Sequence, residues 1–400
     1  MQNNLSLNCI PKYEPGIELV DGVFTPEHEA FRNSFRRFIE KEIEPYYKEW
    51  EKAENGYPKA LWQKGAEAGF LGTMIPEEYG GPGGDILYTL IMGEELGKTV
   101  GGASIGPYLT TDLMTTTLLE FGSEEQKRTY LPQILAGERS WALGLTEPDA
   151  GSDIMAMRTR ARRDGDDYLI SGQKCYISSG MTANLFLMLA KTDEDLERGP
   201  SSITMFLLDD PNAKGFSRRR LDTLGEKAAT IAELFLDEVR VPKSAIIGEP
   251  GRGLNRNLAH LMPYDRAMIG VRAHAMAQLA FDLTVDFVKT RKVFGQTVFD
   301  FQNTKFKLAE LKANLMVGDA FRLDVLRKLV TNQLDMATTS VIKLWFTENV
   351  YKTASDCFQL HGGYAYMTES PISRLFTMAR LETIYAGTSE IQKQTIAKFI

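Results

Sequence analysis

Two short stretches near the middle of the chain decide the fold: residues 145–153, LTEPDAGSD, and residues 172–180, GQKCYISSG. Both place hydroxyls, glycines and backbone amides in short loops between apolar runs. This is the composition of a pocket for a polar, partly anionic cofactor. Neither stretch is a glycine-rich dinucleotide fingerprint, because no G-x-G-x-x-G follows a strand. Each stretch alone is equally compatible with a simple polar turn.

Composition bounds the class of protein. The chain has 400 residues and is 43% hydrophobic, which predicts a soluble globular protein of two or three domains. The net charge of −7, with both signs interspersed and no basic cluster, argues against nucleic acid or an anionic membrane as partner. Three cysteines and four histidines without ligand spacing predict a reducing compartment and no structural metal. Residues 1–21 lack an apolar signal core, so we expect a cytoplasmic protein.

Hydrophobic periodicity divides the chain into helical, strand-rich and helical parts. Thr25 before Pro26 predicts a capped helix start, residues 123–126 form a capping box, and the glycines of 80–84 predict a turn. Apolar runs at 185–190, 203–208 and 234–241 have strand length and predict a small antiparallel barrel or sandwich. Leu308, Leu311 and Leu315 then share one helix face. We predict an N-terminal extension (1–22), a helical domain (23–142), a β-domain (143–252) and a helical bundle (253–400).

In their order and spacing, the two central stretches resemble the flavin-binding middle domain of the acyl-CoA dehydrogenase family. The resemblance covers nearly the whole chain. It implies an α+β fold with an N-terminal α-helical domain, a small middle β-barrel or sandwich, and a C-terminal four-helix bundle. It also implies FAD as cofactor, with Thr146 at the carbonyl edge of the flavin ring, Ser178 at its N5 edge and Ser152 facing CoA. Tyr176 stands where many members have Trp, which keeps an aromatic face beside the flavin.

Three C-terminal segments extend the resemblance: residues 291–296 (RKVFGQ), 359–363 (QLHGG) and 384–390 (IYAGTSE). The first two resemble segments that reach the FAD of a neighbouring subunit, which implies a homotetramer built as a dimer of dimers. An arginine can pair with pyrophosphate in a two-pronged way, and paired glycines allow close backbone approach. A solvated helix end is the alternative for Arg291. The implied FAD contacts are Arg291, Phe294, Gln302, Gln359, Gly363, Thr388 and Glu390, and Tyr385 lies on the substrate side.

The main departure from the family pattern is Ala386, where many members have the Glu that removes the α-proton of the thioester. A methyl group cannot act as a general base. One subset, which includes the isovaleryl- and long-chain-acyl-CoA dehydrogenases, supplies this base from a helix as a Glu before an Arg, and the corresponding pair here is Asp265–Arg266. The alternative for Asp265 is an acid that complements a helix dipole after a fresh start or kink at Pro263. Arg266 is expected to fix the carboxylate or CoA phosphates, or to form a plain surface ion pair.

The resemblance implies dehydrogenation of an acyl-CoA thioester, with the backbone amide of Ala386 bonded to the thioester carbonyl and electrons passed to an electron-transfer flavoprotein. Asp112 is either a helix cap or a second acid/base group aimed at a remote substrate carbon. Two aspartates favour an alicyclic substrate, such as a cyclohexane- or cyclohexene-carboxyl thioester, or a branched one. The alternatives are a flavin-dependent oxidase or hydroxylase on the same scaffold, and a non-catalytic flavoprotein.

Overall fold

The computed structural model describes residues 10–13, 16–105, 112–192 and 199–400, with the side chains of residues 112, 113 and 257 excepted. The chain forms two compact units. The first contains Met1–Lys48, Ile86–Gly106 and Pro263–Ile400, and the second contains Glu49–Asp85 and Pro107–Met262. Helices and strands follow the predicted helical, strand-rich and helical order, and the exact domain boundaries given above stay a prediction.

The N-terminal part of the chain is helical. Its predicted helix starts are confirmed. Thr25 caps the helix that begins at Pro26, and its side-chain hydroxyl accepts a hydrogen bond from the His28 N–H. Ser123 and Gln126 form a reciprocal capping box. The glycines of 80–84 lie in the loop before α4. The helices are α1 (Pro26–Glu42), α2 (Tyr47–Trp50), α3 (Lys59–Glu67), α4 (Ile86–Gly97), α5 (Val100–Ile105), α6 (Asp112–Phe121) and α7 (Glu124–Leu135).

The middle of the chain forms a seven-stranded sheet within the second unit. The three predicted strands are confirmed as β4, β5 and β7, but the sheet is mixed, because β4 pairs in parallel with both β1 and β2. The prediction of an antiparallel arrangement was therefore wrong for these two pairs, while the other four strand pairs of the sheet are antiparallel as predicted. The strands are β1 (Trp141–Gly144), β2 (Arg160–Asp164), β3 (Asp167–Ile177), β4 (Leu185–Thr192), β5 (Ile203–Leu208), β6 (Phe216–Arg220) and β7 (Ala232–Pro242). Their order is β1-β4-β2-β3-β7-β6, with β5 on β4.

Long helices return after residue 258. Leu308, Leu311 and Leu315 are all buried on one face of α9, as the periodicity predicted. The expected fresh start at Pro263 is wrong, because α8 already begins at Ala259 and follows a π-helical segment, Gly253–Leu258. The elements are α8 (Ala259–Thr290), β8 (Lys292–Val293), β9 (Gln296–Thr297), α9 (Gln302–Val330), α10 (Met336–His361), α11 (Pro371–Glu382) and α12 (Ser389–Ala397).

Packing in the first unit centres on α10, which contacts α9, α11 and α12, while α1 packs on α4. A buried ionic cluster joins these last two helices: Arg32 pairs with Glu94 at 2.9 Å and with Glu95 at 3.1 Å. In the described part of the chain, no helix is both long and apolar enough to cross a membrane.

Candidate active site

Asp265 lies in the second turn of α8 and retains partial solvent access. Burial raises the pKa of its carboxyl from 3.8 to about 6, although the positive charges of Arg266, Lys343 and Arg272 oppose the rise. A carboxyl with a pKa near 6 is ionised at neutral pH but remains a much stronger base than an ordinary aspartate. Asp265 thus has the protonation behaviour that a general base requires.

Arg266 points into the protein rather than into solvent. Its side chain is buried at 4% exposure, and Nη1 donates to Ser340 Oγ and contacts Met336 Sδ, each at 3.0 Å. Burial lowers the pKa of the guanidinium, and the charge of Asp265 opposes that change. The alternative of a plain surface ion pair is therefore excluded for Arg266.

The turn that carries Ala386 has an unusual backbone. Ala386 has φ 52° and Gly387 has φ 90°, both in the left-handed region. A Cβ on Gly387 would lie 2.8 Å from Gln392 Nε2, so glycine is required there. Gln392 Nε2 donates to both carbonyls of the turn, at 3.2 Å to Ala386 and 2.8 Å to Gly387. Within the described residues the Ala386 N–H donates to no main-chain carbonyl, which leaves it available to a ligand.

Three buried charged residues that the sequence analysis missed surround this turn: Arg272, Lys343 and Glu382. Glu382 pairs with Arg272 and accepts from the Tyr385 hydroxyl at 2.7 Å, and Arg272 Nη2 lies 3.2 Å from the same hydroxyl. Lys343 Nζ donates to the Gly387 carbonyl at 2.9 Å. The i+3 and i+7 spacing of Lys343 with the apolar Phe346 and Val350 was the available signal, because it places the lysine on the apolar face of α10.

In the second unit, a buried ion pair holds the loop that begins with Leu145. Lys174 Nζ lies 2.8 Å from Glu147 Oε1 and donates to the Leu145 carbonyl at 3.2 Å. Glu147 also accepts from the backbone N–H groups of Arg158 and Thr159. Burial lowers the pKa of Lys174 to about 8, although the charge of Glu147 opposes the change. Both residues lie within the two deciding stretches, but the sequence analysis gave them no role.

The same loop lies beside the end of β3. The Cys175 N–H donates to the Thr146 carbonyl at 2.9 Å, which brings the two stretches together. Around the end of β3, where its pairing with β7 shifts register between Lys174 and Ile177, Cys175 and Ile177 are buried while Tyr176 and Ser178 are exposed. Tyr176 is 70% exposed and has φ 58°, so the chain presents an aromatic ring to its surroundings at a conformational cost. Ser152 is also exposed.

The predicted FAD contacts of the C-terminal part lie on the surface of the first unit. Phe294 is 96% exposed with φ 51°, and Arg291, Gln302, Gln359 and Gly363 are exposed as well. The Arg291 guanidinium lies 5.9 Å from the ring centroid of Tyr364, which directly follows the segment 359–363. Thr388 caps α12, and Glu390 is exposed in its first turn.

Asp112 is the first residue of α6, but its side chain lies outside the described residues. Its two predicted roles therefore stay predictions. Cys175 and Cys357 are free and buried. Across the described ranges, no group of three or more His, Cys, Asp or Glu side chains could hold a metal ion.

Comparison with known proteins identifies the family. Three family models match the chain in succession: "Acyl-CoA dehydrogenase, N-terminal domain" over residues 25–138, "middle domain" over 142–239 and "C-terminal domain" over 251–400. The chain belongs to the acyl-CoA dehydrogenase family. It is therefore an oxidoreductase, and the predicted fold class is confirmed.

Individual acyl-CoA dehydrogenases match over most of their length. The long-chain specific acyl-CoA dehydrogenase, mitochondrial, of Rattus norvegicus is 38% identical over 94% of this chain and 87% of its own. The crystal structure of an acyl-CoA dehydrogenase from Geobacillus kaustophilus has a TM-score of 0.90 and 36% identity, and covers 94% of this chain and 98% of that one. A glutaryl-CoA dehydrogenase from Mycobacterium smegmatis, solved in complex with FADH2, has a TM-score of 0.83 at 27% identity, with 95% and 96% covered.

Proposed function

We propose that this protein is an FAD-dependent acyl-CoA dehydrogenase that uses Asp265 as its general base. The observation that carries the proposal is a partly accessible carboxyl on α8 with a pKa raised to about 6, in a chain whose Ala386 cannot act as a base. The pKa of Asp265 responds to the charges of Arg272, Lys343 and Glu382. Each of these three side chains contacts Tyr385 or Gly387, which supports a position of Asp265 near the Tyr385–Gly387 turn.

The residues predicted to hold FAD have the exposure and chemistry that such a role requires. Tyr176 and Phe294 are large, exposed aromatic side chains on strained backbone, which is costly unless a ligand or partner covers them. A Cβ at Gly362 or Gly363 would meet no atom within 4 Å, so a ligand can approach that backbone closely. We therefore assign flavin and ribityl contacts to Thr146, Tyr176, Ser178, Thr388 and Glu390, and contacts from a second copy of the chain to Arg291, Phe294, Gln302, Gln359 and Gly363.

The chemistry of the chain's own residues follows from their donors and charges. Bound FAD supplies the acceptor for the hydride that leaves the β-carbon. We assign the Ala386 N–H as the donor to the thioester carbonyl, and a hydrogen bond to that carbonyl would acidify the α-carbon. Asp265 Oδ then takes the α-proton. Because an aspartate is one methylene shorter than a glutamate, the substrate carbon must approach α8 more closely than it would with a glutamate.

The proposal also covers the acyl group of the substrate, the electron acceptor and the oligomeric state. We assign an alicyclic or branched acyl-CoA, because the short side chain of Asp265 and a second acid at Asp112 suit a bulky acyl group better than a flexible straight one. Ser152 is assigned to CoA and Tyr385 to the acyl group. We assign an electron-transfer flavoprotein as the electron acceptor. We assign a homotetramer, built as a dimer of dimers, as the assembly.

The test is an anaerobic titration of the FAD-loaded protein with straight-chain, branched and cyclohexane- or cyclohexene-carboxyl CoA thioesters, followed by flavin absorbance. We expect bleaching with the branched or alicyclic class. Asp265→Asn is expected to retain FAD and thioester binding but to lose at least about 100-fold in the rate of flavin reduction. Near-normal reduction by that variant would remove Asp265 as the base, and an oxygen-reactive or unbleachable flavin would favour the oxidase or the non-catalytic alternative.

A further inference from the structure

Lys174 on β3 is a lysine without access to solvent. Its side chain is 0% exposed, and Nζ lies 2.8 Å from Glu147 Oε1 and 3.2 Å from the Leu145 carbonyl oxygen, to which it donates. The Glu147 carboxylate is anchored in turn, because its two oxygens accept from the backbone N–H groups of Arg158 and Thr159. The ammonium group is therefore held in one place beside the Leu145 carbonyl.

Two successive residues of β3 hold the two peptide planes on either side of Thr146. The Leu145 carbonyl, to which Lys174 Nζ donates, shares its peptide plane with the Thr146 N–H. The Thr146 carbonyl belongs to the next plane and accepts from the Cys175 N–H at 2.9 Å. Because each peptide is planar, a bond to the Leu145 carbonyl also sets the direction of the Thr146 N–H.

The Thr146 N–H itself has no acceptor within the protein. In the part of the chain that the structure describes, neither a main-chain carbonyl nor a side chain accepts from it, and Thr146 is half-buried. Backbone donors away from bulk water are normally paired, so a donor that is fixed in direction and left open is suited to a ligand. The carbonyl edge of the flavin ring, to which Thr146 is assigned, carries oxygen acceptors.

Stability alone does not explain why a lysine occupies position 174. Two buried charges lose their hydration, and well-packed apolar side chains of similar volume are often as stabilising as a buried ion pair. An apolar side chain at this position would leave the Leu145 carbonyl without its donor. The directional bond to that carbonyl is therefore what Lys174 provides and an apolar residue does not.

We propose that Lys174 is a positioning residue for the cofactor: its bond to the Leu145 carbonyl directs the Thr146 N–H, which donates to a carbonyl oxygen of the flavin ring. This inference rests on the proposed binding of FAD and on the assignment of Thr146 to the flavin, and it is independent of the general base. Glu147 acts one step further out, because it holds Nζ in place.

The test uses Lys174→Met, alone and together with Glu147→Gln. Met retains the apolar stem and removes the donor to Leu145 in both proteins, while Gln in the double variant removes the carboxylate charge that would otherwise be buried alone. Lys191→Met is the matched control. Lys191 lies on β4 of the same sheet and also donates to a main-chain carbonyl, that of Met155, at 2.8 Å.

Two properties of the bound flavin are measured in protein reconstituted with FAD. The first is the infrared stretching frequency of each flavin carbonyl, assigned with carbon-13 at one carbonyl at a time. A carbonyl that loses a hydrogen bond stretches at higher frequency, so one band is expected to move upward equally in both Lys174 variants. The second is the Kd of FAD for the apoprotein, expected to rise roughly 3- to 10-fold, the effect of one hydrogen bond. Lys191→Met is expected to change neither.

The double variant separates positioning from stability. If its carbonyl band and FAD affinity return to wild-type values together with its stability, Lys174 only stabilises the loop and the proposal is overturned. Where Lys174→Met does not yield folded protein, Lys174→Gln with Glu147→Gln gives the same test, because the glutamine amide ends one bond short of the position of Nζ.

The outcomes also distinguish this inference from the proposed function. Unchanged carbonyl bands in both variants overturn the role of Lys174, even if Asp265→Asn abolishes flavin reduction and the base assignment stands. If Asp265→Asn reduces flavin normally, the base assignment fails, whereas an upward shift of the carbonyl band still supports Lys174. A wild-type protein that binds no FAD would overturn both.

Discussion

Replacing Asp265 by Asn tests the electrostatics of the proposed base without any substrate. The carboxyl titrates near pH 3.8 when freely solvated and near about pH 6 in the folded protein, because burial disfavours its charged form. Below pH 3.8 the carboxyl is protonated in both the folded and the unfolded protein, so no free energy is spent on burying its charge. Between about pH 4 and pH 6 the folded protein still binds this proton, whereas the unfolded chain has released it. The free energy of unfolding therefore decreases as the pH rises through this range, and the decrease is complete and constant above about pH 6.

The size of the effect follows from the two pKa values. A difference of roughly two pH units corresponds to about 3 kcal/mol at 1.36 kcal/mol per unit. Asn is neutral at every pH and does not incur this loss. Asp265→Asn is therefore expected to be about 3 kcal/mol more stable than the wild type at pH 8 and nearly equal to it at pH 4. If the whole chain unfolds together, the gain at pH 8 is a rise of roughly 4 °C in melting temperature.

The assay is calorimetric melting of the FAD-loaded protein at several pH values. Asp286→Asn, at an exposed position on the same helix, is the control and is expected to change little. A gain of equal size at pH 4 and pH 8 would refute the reasoning, because a packing effect does not depend on pH. Absence of any gain would mean that the carboxylate is well solvated, and would remove the physical basis for a raised pKa.

Two further predictions concern other parts of the chain. Lys174→Met leaves the buried Glu147 carboxylate without its cation, so we expect a loss of about 3–5 kcal/mol in denaturant unfolding and reduced FAD content. The double variant with Glu147→Gln should recover part of that stability, and a purely additive loss would contradict the pairing argument. Asp112→Ala is expected to slow flavin reduction by cyclic thioesters more than by straight-chain ones, in parallel titrations. An equal loss on both classes would count against a substrate-directed role.

Much of the candidate site could be predicted because the relevant residues lie in short, continuous stretches. The LTEPDAGSD and GQKCYISSG segments carry their loop geometry locally, and the Cys175–Thr146 hydrogen bond joins two stretches already singled out. Ala386 and Asp265 could be contrasted because the family that the chain resembles often has a Glu at the position of Ala386. The residues that were missed, Lys343 and Glu382, are charged side chains within helices, and a charged residue is normally expected on the solvated face.

The sequence by itself determined the order of helical and strand-rich parts and the caps at Thr25 and Ser123, because propensity, capping and hydrophobic period act over a few residues. The candidate base followed from the resemblance to the family pattern. The tertiary structure decided the parallel pairing of β4, the unbroken passage of α8 through Pro263, and the burial of Arg266 and Lys343. These features depend on contacts between residues far apart in the chain. The pKa of Asp265 belongs to this second group, because burial and the charges around it are set only when α8, α10 and α11 pack together.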